Sequence, residues 1–482
     1  MLDALEQLLD HLGGAIDARR QAEVERRHRR ALAGEPVDRL PLVVACPLPP
    51  DARFKPLPYR EAFTDPEKML YNELVHAFDT SIALRDRLSD DLPLTVRANF
   101  GTVLIASMFG ANVEQHGDNP PWVRHTPAGM PPSAVTNDAG PDRTRGLLPR
   151  VVETMEFYHA TLRRWPELYE QVHVVLPDLQ GPLDNLGLIC GSRLLLDLAA
   201  SPREVEAALA AVADAQIEVA RRLAPNTTSF SLPDRGSDSV YFTLPDRGSD
   251  SVCFTLPEGG SDAVYFTLPE GGSDAVYFTL PEGGSDAVAA GEGYENPELI
   301  RNLPSPLVPR DPPGGRVKPK VSDIGLAPLV RDGPPGYSHQ HGVMVRGNIL
   351  LRVDSAVMIS PEMYREQVAP HDERVLSSLG GGGVHCCGRL AHIADELLRL
   401  PSIACLDFGQ PELNDVDAIY RAARARNVAL TRVTPTEEEL ATGRIHERFP
   451  TGVNLVYRAG RFEDATRLAA RHAVKPPLPE AP

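Results

Sequence analysis

The stretch GGGGVHCCGRLAHIADELLRLPSIACLDFGQPE, residues 380–412, holds two short apolar runs separated by a segment with helical spacing. We expect strands over 383–387 and 403–407, with a helix over 390–400 between them. This order predicts parallel strands joined by a right-handed crossover. The chain then repeats the pattern, with a further strand expected over 428–433. An α/β fold built on parallel strands is therefore predicted.

The same alternation extends outward on both sides of this stretch. The expected strands cover 40–46, 94–98, 172–176 and 453–457, and the expected helices cover 65–88, 147–164, 201–224, 416–426 and 462–472. About eight strand–helix units favour a (β/α)₈ TIM barrel over a doubly wound sheet. In that barrel the chemistry lies where strands end and loops begin, so polar residues at those positions are the candidates for a site.

Composition limits the classes of function and location. The chain has 482 residues, of which 42% are apolar and 24% are charged, so a large ordered core is expected. The net charge is −17 and no basic run is visible, which argues against a nucleic-acid partner. Residues 1–20 do not form a secretory signal, and no run reaches the roughly 18–20 apolar residues that span a bilayer. We expect a cytoplasmic protein without a membrane partner.

An internal repeat interrupts the alternation. Phenylalanine recurs every 12 residues from Phe230 to Phe278, so that 230–289 form five tandem copies with ten acidic residues and two arginines. One copy fits a strand over 263–268 followed by a turn, and a meander of hairpins and a flexible insertion both remain open. Residues 290–337 contain ten prolines, which is typical of an extended linker.

These features predict the domain organisation. Residues 1–229 would form N-terminal helices and the first part of the barrel, and residues 338–482 would complete it. The repeats (230–289) and the Pro/Gly-rich linker (290–337) would form a low-complexity insertion between these two parts. The remaining 374 residues suit one barrel with extra helices.

A histidine and a cysteine lie two residues apart in the opening stretch. On a strand, His385 and Cys387 would point to the same face, and zinc prefers nitrogen and sulfur ligands. Cys405 and Asp407 share one face of the next strand, so either could complete a metal site. Two other interpretations remain open, namely ordinary core cysteines beside a hydrogen-bonded histidine, and a catalytic thiol.

Polar residues at the ends of other predicted strands are further candidates. An arginine there would bind a substrate carboxylate or form an internal ion pair, and a glycine turn would present backbone amides to a substrate or only shape the chain. These candidates are Arg97, Asn99, Asp178, Gln180, Gly181 and Asp354.

Four segments together resemble the uroporphyrinogen decarboxylase superfamily. They are RANFGTVLIASMFGANVEQHGDNPPWV (97–123), VLPDLQGPLDNLGLICGSRLLLDLAASP (175–202), VDSAVMISPEMYREQVAPHDERVL (353–376) and the opening stretch (380–412). The resemblance covers most of 36–225 and 338–460, and it does not cover the insertion. It implies a TIM barrel, in agreement with the alternation.

The superfamily joins the haem-pathway decarboxylase to corrinoid-linked, zinc-dependent methyltransferases. The methyltransferases use an H-x-C pair and a distant cysteine to hold zinc, and His385 and Cys387 match the pair. No cysteine follows Cys405, so Cys405 or an acid would have to replace the distant cysteine. The resemblance then implies zinc-assisted transfer of a methyl group from a corrinoid, carried by a partner protein, to a small thiol substrate. Asp178 and Asp354 would be catalytic, and Arg97, Asn99, Gln180 and Gly181 would bind substrate.

Two alternatives follow from the same resemblance. The first is removal of carboxylates from a tetrapyrrole in porphyrin biosynthesis, a reaction for which the family uses an arginine-rich motif of the form RQAGR. The corresponding segment reads VVACPLPPDARFKPLPY (43–59), without that motif. The second is a barrel that no longer catalyses and whose repeats mediate protein contacts.

Overall fold

The structure is a computed structural model that describes residues 2–126, 129–137, 146–228, 336–340 and 342–473, with the backbone of four short strands between 239 and 278. The chain divides into two compact units. One comprises Met1–Ser231 and Leu329–Pro482, and the other comprises Leu232–Pro328. Most of the predicted linker and most of the predicted repeats lie outside the described residues.

Eight strands form two parallel sheets in the first unit. They are β1 (Leu42–Ala45), β2 (Thr95–Arg97), β3 (His173–Val175), β4 (Ile349–Arg352), β5 (Gly382–Cys386), β6 (Ile403–Phe408), β7 (Ala429–Val433) and β8 (Val453–Arg458). Six pair in the order β1-β8-β7-β6-β5-β4, and β2 pairs with β3 in a separate two-stranded sheet. The predicted α/β class is confirmed. The closed barrel stays a prediction, because β1–β2 and β3–β4 ladders are absent among the described strands.

Helices follow the strands along the chain, as the alternation predicts. The α-helices span Leu2–Ala15, Ala18–Ala33, Tyr59–Ala62, Pro66–Val75, Leu104–Met108, Pro132–Asn137, Leu148–Leu162, Pro166–Tyr169, Pro182–Cys190, Leu194–Ala200, Pro202–Leu223, Pro361–Met363, Ala369–Ser378, Ala394–Leu397, Val416–Arg424, Glu437–Thr442, Ile445–Arg448 and Phe462–Ala473. Short 3₁₀ helices span Ile82–Leu84, Gly191–Arg193, Ala224–Asn226, Asp354–Met358 and Pro411–Leu413, and a π-helical turn spans Tyr364–Val368. Within the described ranges, none of the helices has the length and apolar character needed to cross a bilayer.

The strand sequences explain why the sheet forms where it does. Every residue of β1, β5 and β6 is buried, and β1 reads LVVA. Runs that are apolar on both faces are typical of parallel strands covered by helices. The polar exceptions gather at the carboxyl ends of β5 and β6, where His385 and Asp407 lie. Those two positions begin the candidate site.

The predicted helix over 65–88 is wrong in its second half. The observed helix ends at Val75, and the chain turns through Phe78 and Asp79, which have φ of 53° and 59°. The apolar spacing continues to Leu88 because the segment that follows, including Ile82 and Leu84, is also buried. The buried apolar residues of this loop therefore have a spacing that is also typical of a helix, and the sequence did not distinguish the two.

A short hairpin leads into β4. Tyr337–Gln340 pairs antiparallel with Val343–Arg346, so the predicted linker boundary at 337 falls inside a strand. The side chain of His339 lies 3.1 Å from Glu25, measured from Nε2 to Oε1, on the helix Ala18–Ala33. The chain after the insertion is therefore fixed to the N-terminal helices of the same unit.

The second unit is described only through four strands. Ser239–Thr243 pairs antiparallel with Ser251–Thr255, and Val264–Phe266 pairs antiparallel with Val276–Phe278. The strand expected over 263–268 is thus observed at its centre, and each pair joins two neighbouring copies. The role of the repeats stays a prediction.

A small antiparallel pair, Val113–Glu114 with Trp122–Val123, follows β2 in the first unit.

Candidate functional site

Four polar side chains form a row across the carboxyl ends of the parallel strands. Arg352 on β4 is in register with His385 on β5, His385 with Asp407 on β6, and Asp407 with Thr431 on β7. Residues at the same level of neighbouring strands point to the same face of a sheet. The row therefore gathers a guanidinium, an imidazole, a carboxylate and a hydroxyl on one side.

Next to this row, His385, Cys387 and Asp354 bring three possible ligand atoms within 4.8 Å of one another. Nε2 of His385 lies 3.3 Å from Sγ of Cys387 and 3.7 Å from Oδ1 of Asp354. The backbone amide of Cys387 donates to the same Oδ1 at 2.6 Å. Nitrogen, sulfur and oxygen donors at this spacing suit a divalent transition metal such as zinc.

Glycines give the cluster its local shape. Gly388, directly after Cys387, has φ of 81°, a conformation that side chains rarely adopt. A Cβ on Gly409 would overlap the Sγ and the backbone of Cys387. The thiol therefore occupies space that exists only because position 409 has no side chain.

The other ring nitrogen of His385 faces a carboxylate. Nδ1 lies 2.5 Å from Oδ2 of Asp407, and that carboxylate also pairs with Arg432 and accepts a hydrogen bond from Oγ1 of Thr431 at 2.5 Å. Burial alone would raise the pKa of Asp407, but the charge of Arg432 and the hydrogen bonds lower this pKa to about 2. An ionised Asp407 only accepts, so the proton between them belongs to Nδ1, and in the neutral ring Nε2 then presents its lone pair to the cluster.

The thiol of Cys387 is held in its protonated form by its surroundings. Burial raises the pKa of Cys387 to about 12, and the neighbouring carboxylate of Asp354 adds to the shift. A bound cation reverses this preference, because metal coordination deprotonates a thiol. The donor set thus fits a cation better than it fits a free nucleophile, and the catalytic-thiol interpretation loses support.

Three predicted site residues, Asp178, Arg97 and Gln180, lie together with Arg352, which was not predicted. Oδ2 of Asp178 lies 2.7 Å from Nε of Arg352 and 3.8 Å from an Nη of Arg97. Nε2 of Gln180 donates to Oδ1 of Asp178 at 2.7 Å. Arg352 connects this group to the row of polar side chains at the strand ends, because it is also in register with His385.

Asn99 joins this group through a residue that the sequence did not reveal. Oδ1 of Asn99 accepts from an Nη of Arg97 at 3.3 Å, and Nδ2 donates to Oε1 of Glu73 at 3.0 Å. Glu73 also accepts from the backbone amide of Arg97 at 3.2 Å. Burial raises the pKa of Glu73. Glu73 lies inside a helix, where a single glutamate carries no sequence signal.

In the structure, Gly181 packs closely against the backbone of Arg352. A Cβ there would strike the carbonyl oxygen of Arg352, so the absence of a side chain lets the loop after β3 approach β4. Gly181 is also the N-cap of the helix Pro182–Cys190. Its contact with a substrate stays a prediction.

Cys405 does not join the cluster, which corrects the expected third ligand. It is in register with Gly383, two residues below His385, and its thiol lies 3.5 Å from Oγ1 of Thr431. The cluster whose ligand atoms lie within 4.8 Å of one another comprises Asp354, His385 and Cys387, and it does not include Cys405. The third residue whose ligand atom lies near those of His385 and Cys387 is Asp354, which was expected from the sequence to be catalytic and not a ligand.

Asp184, which lies near a predicted strand end in the same segment as Asp178 and Gln180, contacts the element that carries Asp354. Its carboxylate accepts from the backbone amides of Asp354 at 2.8 Å and Ser355 at 2.7 Å, and so fixes the start of the 3₁₀ helix that carries Asp354. Burial, with a contribution from Asp354, raises the pKa of Asp184 to about 7. Its position in the first turn of a helix after DLQGP was the available signal.

A cavity of about 320 Å³ opens beside the ends of β1 and β8. That volume lies within the range of small-molecule sites. The residues around it include Cys46, His76, Asp79 and Arg458, with an Nη of Arg458 2.7 Å from Oδ2 of Asp79.

Comparison with known proteins identifies a likeness in fold. No family model matches this chain, and no curated protein sequence matches it. A solved structure of a methyltransferase from Methanosarcina mazei aligns with a TM-score of 0.50 and 13% sequence identity, over 94% of this chain and 96% of that chain. The mixed α/β architecture with a central parallel sheet is therefore an arrangement that this chain shares with a methyltransferase.

Proposed function

We propose that this protein is an enzyme of the uroporphyrinogen decarboxylase superfamily that binds zinc and transfers a methyl group to a small thiol. The observation that carries the proposal is the cluster of Asp354, His385 and Cys387, whose ligand atoms lie within 4.8 Å of one another. The fold shared with a methyltransferase and the resemblance of the sequence support the same choice.

Three protein ligands suit a catalytic zinc site, since such sites keep one coordination position for a water or a substrate. A bound zinc would supply a Lewis acid that lowers the pKa of a substrate thiol. His385, Cys387 and Asp354 would hold the metal. A metal held there would favour the thiolate form of a substrate thiol, which is the form that can accept a methyl group from a corrinoid. The corrinoid would be carried by a partner protein.

The second polar group would orient the substrate. Asp178 lies between Arg352 and Arg97, and Gln180 and Asn99 complete a buried hydrogen-bonding surface beside the metal ligands. Such preorganised groups bind the polar part of a small molecule and fix its orientation.

The decarboxylase alternative is less well supported. A tetrapyrrole polycarboxylate requires cations that are available to it, yet Arg352 already pairs with Asp178, Arg432 with Asp407, and Arg458 with Asp79. Direct assay of uroporphyrinogen decarboxylation decides this alternative. Substantial turnover would overturn the methyl-transfer proposal.

The first test is metal content. Purified protein dialysed against zinc should retain about one zinc per chain, and His385→Gln and Cys387→Ser should each lose at least a hundredfold in zinc affinity. Cys386→Ala is the matched control, since Cys386 is fully buried and its thiol contacts the backbone carbonyls of Val353 and Cys387 rather than a ligand atom of the cluster. Wild-type protein that binds no zinc, or ligand variants that bind it as wild type does, would refute the proposal.

A further inference from the structure

Two consecutive residues of β7 contact the same carboxylate. Oγ1 of Thr431 donates to Oδ1 of Asp407, and the guanidinium of Arg432 pairs with Oδ2. In a regular strand neighbouring side chains point to opposite faces, so both could not reach one partner. The pairing of β7 with β8 shifts between Leu430 and Val433, and Arg432 has φ of 57°. A bulge with a left-handed residue thus re-aims Arg432 toward Asp407.

A buried side chain on the next strand holds the bulge in place. The backbone amide of Arg432 donates to Oδ1 of Asn454 at 3.0 Å, and Nδ2 of Asn454 donates to the carbonyl of Met344 at 2.8 Å. Asn454 is fully buried. An irregular backbone that is fixed in this way, beside a candidate site, indicates a selected feature rather than a defect.

The partner of the bulge contacts the proposed metal ligand. Asp407 accepts from Nδ1 of His385 at 2.5 Å, while Nε2 of the same ring faces Cys387 and Asp354. Carboxylates that receive the distal N–H of a ligating histidine fix its tautomer and its ring orientation. Thr431 and Arg432 therefore fix the orientation of the Asp407 carboxylate. That carboxylate in turn determines which nitrogen of His385 faces Cys387 and Asp354.

We infer that Asp407, held by the Thr431–Arg432 bulge, is the positioning residue that keeps the Nε2 lone pair of His385 aimed at the metal position. Thr431 and Arg432 act through Asp407, and none of the three touches the metal. This inference rests on the proposed zinc site. A purely structural network would stabilise the fold without influencing the histidine.

Zinc affinity, measured by competition with a chromogenic chelator, is the first part of the test. Asp407→Asn keeps the shape but loses the charge, and Thr431→Val keeps the shape but loses the hydroxyl donor. We expect a tenfold to hundredfold loss of affinity for Asp407→Asn and a severalfold loss for Thr431→Val. Asp372→Asn is the matched control, because Asp372 is a buried carboxylate that bonds to the hydroxyl of Tyr364. Its zinc affinity should equal that of wild type.

The tautomer of His385 is the second part, and it needs no metal. In metal-free protein labelled with ¹⁵N-histidine, NMR should show His385 protonated on Nδ1, with its signal assigned by its loss in His385→Gln. Asp407→Asn should shift the ring toward a mixture of tautomers, whereas Asp372→Asn should not.

The zinc-affinity and tautomer measurements distinguish the proposed function from the positioning role of Asp407. Wild-type protein that binds no zinc but shows the Nδ1–H tautomer would refute the proposed function and leave the positioning role intact. Unchanged zinc affinity in both variants, or a tautomer that is indifferent to Asp407→Asn, would overturn the inference. If Asp407→Asn fails to fold, Thr431→Val supplies the same readouts.

Discussion

Among single residues, Gly409 has the most direct influence on the site. It follows β6, and a side chain there would occupy the position of the Cys387 thiol. Cys387 in turn donates its backbone amide to Asp354, so two of the three proposed ligands depend on this one position. Gly409 has no side chain, yet its position determines where Cys387 and Asp354 lie.

Gly409→Ala should displace the thiol of Cys387. We expect at least a tenfold loss of zinc affinity, together with a loss of about 1–3 kcal/mol in the free energy of unfolding from overpacking. Gly460→Ala is the matched control, because no atom lies within 4 Å of the added Cβ, and its stability should change by less than about 0.5 kcal/mol. Chelator competition and urea denaturation measure the two effects. Equal behaviour of both variants would contradict the role given to Gly409.

At the scale of elements, the helical segment after β4 combines a cap, a π-helical turn and a buried acid. Ser360 caps its start by accepting from the amide of Met363. The π-helical turn Tyr364–Val368 precedes the helix Ala369–Ser378, and the hydroxyl of Tyr364 donates to Asp372 at 2.7 Å. Both side chains are fully buried. Burial raises the pKa of Asp372 to about 7, so the fold favours its protonated form.

This raised pKa predicts a pH dependence of stability. In the unfolded chain Asp372 titrates near 3.9, so its contribution is complete below about pH 4 and is lost as the pH rises to about 7. Asp372→Asn should therefore gain stability relative to wild type across this interval, by at most about 1.4 kcal/mol per pH unit, and level off above pH 7. Urea denaturation from pH 5 to pH 8 measures the difference. A difference that does not vary with pH would exclude the raised pKa.

Local patterns in the sequence predicted the strands and the His385–Cys387 pair, because both depend on spacing of two within one element. The third residue of the cluster depends on how neighbouring strands and the segments after them align. Cys405 was chosen from its distance along the chain, but the register places it beside Gly383, and Asp354, two residues beyond Arg352 of β4, lies at the cluster instead. Arg432 gave no signal, since only the bulge turns it toward Asp407.

At the scale of the whole molecule, the candidate site is assembled across the insertion. Asp178 precedes it and Arg352 follows it, yet their side chains form an ion pair at 2.7 Å within one compact unit. The hairpin after the insertion is also fixed to the helix Ala18–Ala33 through His339 and Glu25. These contacts do not involve the unit Leu232–Pro328.

Replacing 232–328 with a short Gly/Ser linker should leave the first unit folded. The cost of closing a loop grows only with the logarithm of its length, so the free energy of unfolding should change by no more than about 2 kcal/mol. Zinc content and urea denaturation provide the measurements. Aggregation or loss of zinc would show that the insertion is needed for the fold, while loss of a protein partner alone would favour the interaction role of the repeats.

The near-identity of the twelve-residue copies bears on how this gene can change. Adding or deleting one whole copy would alter only the number of residues between Asp178 and Arg352. Chain length can therefore drift by multiples of twelve without selection acting through the ion pair that joins the two halves.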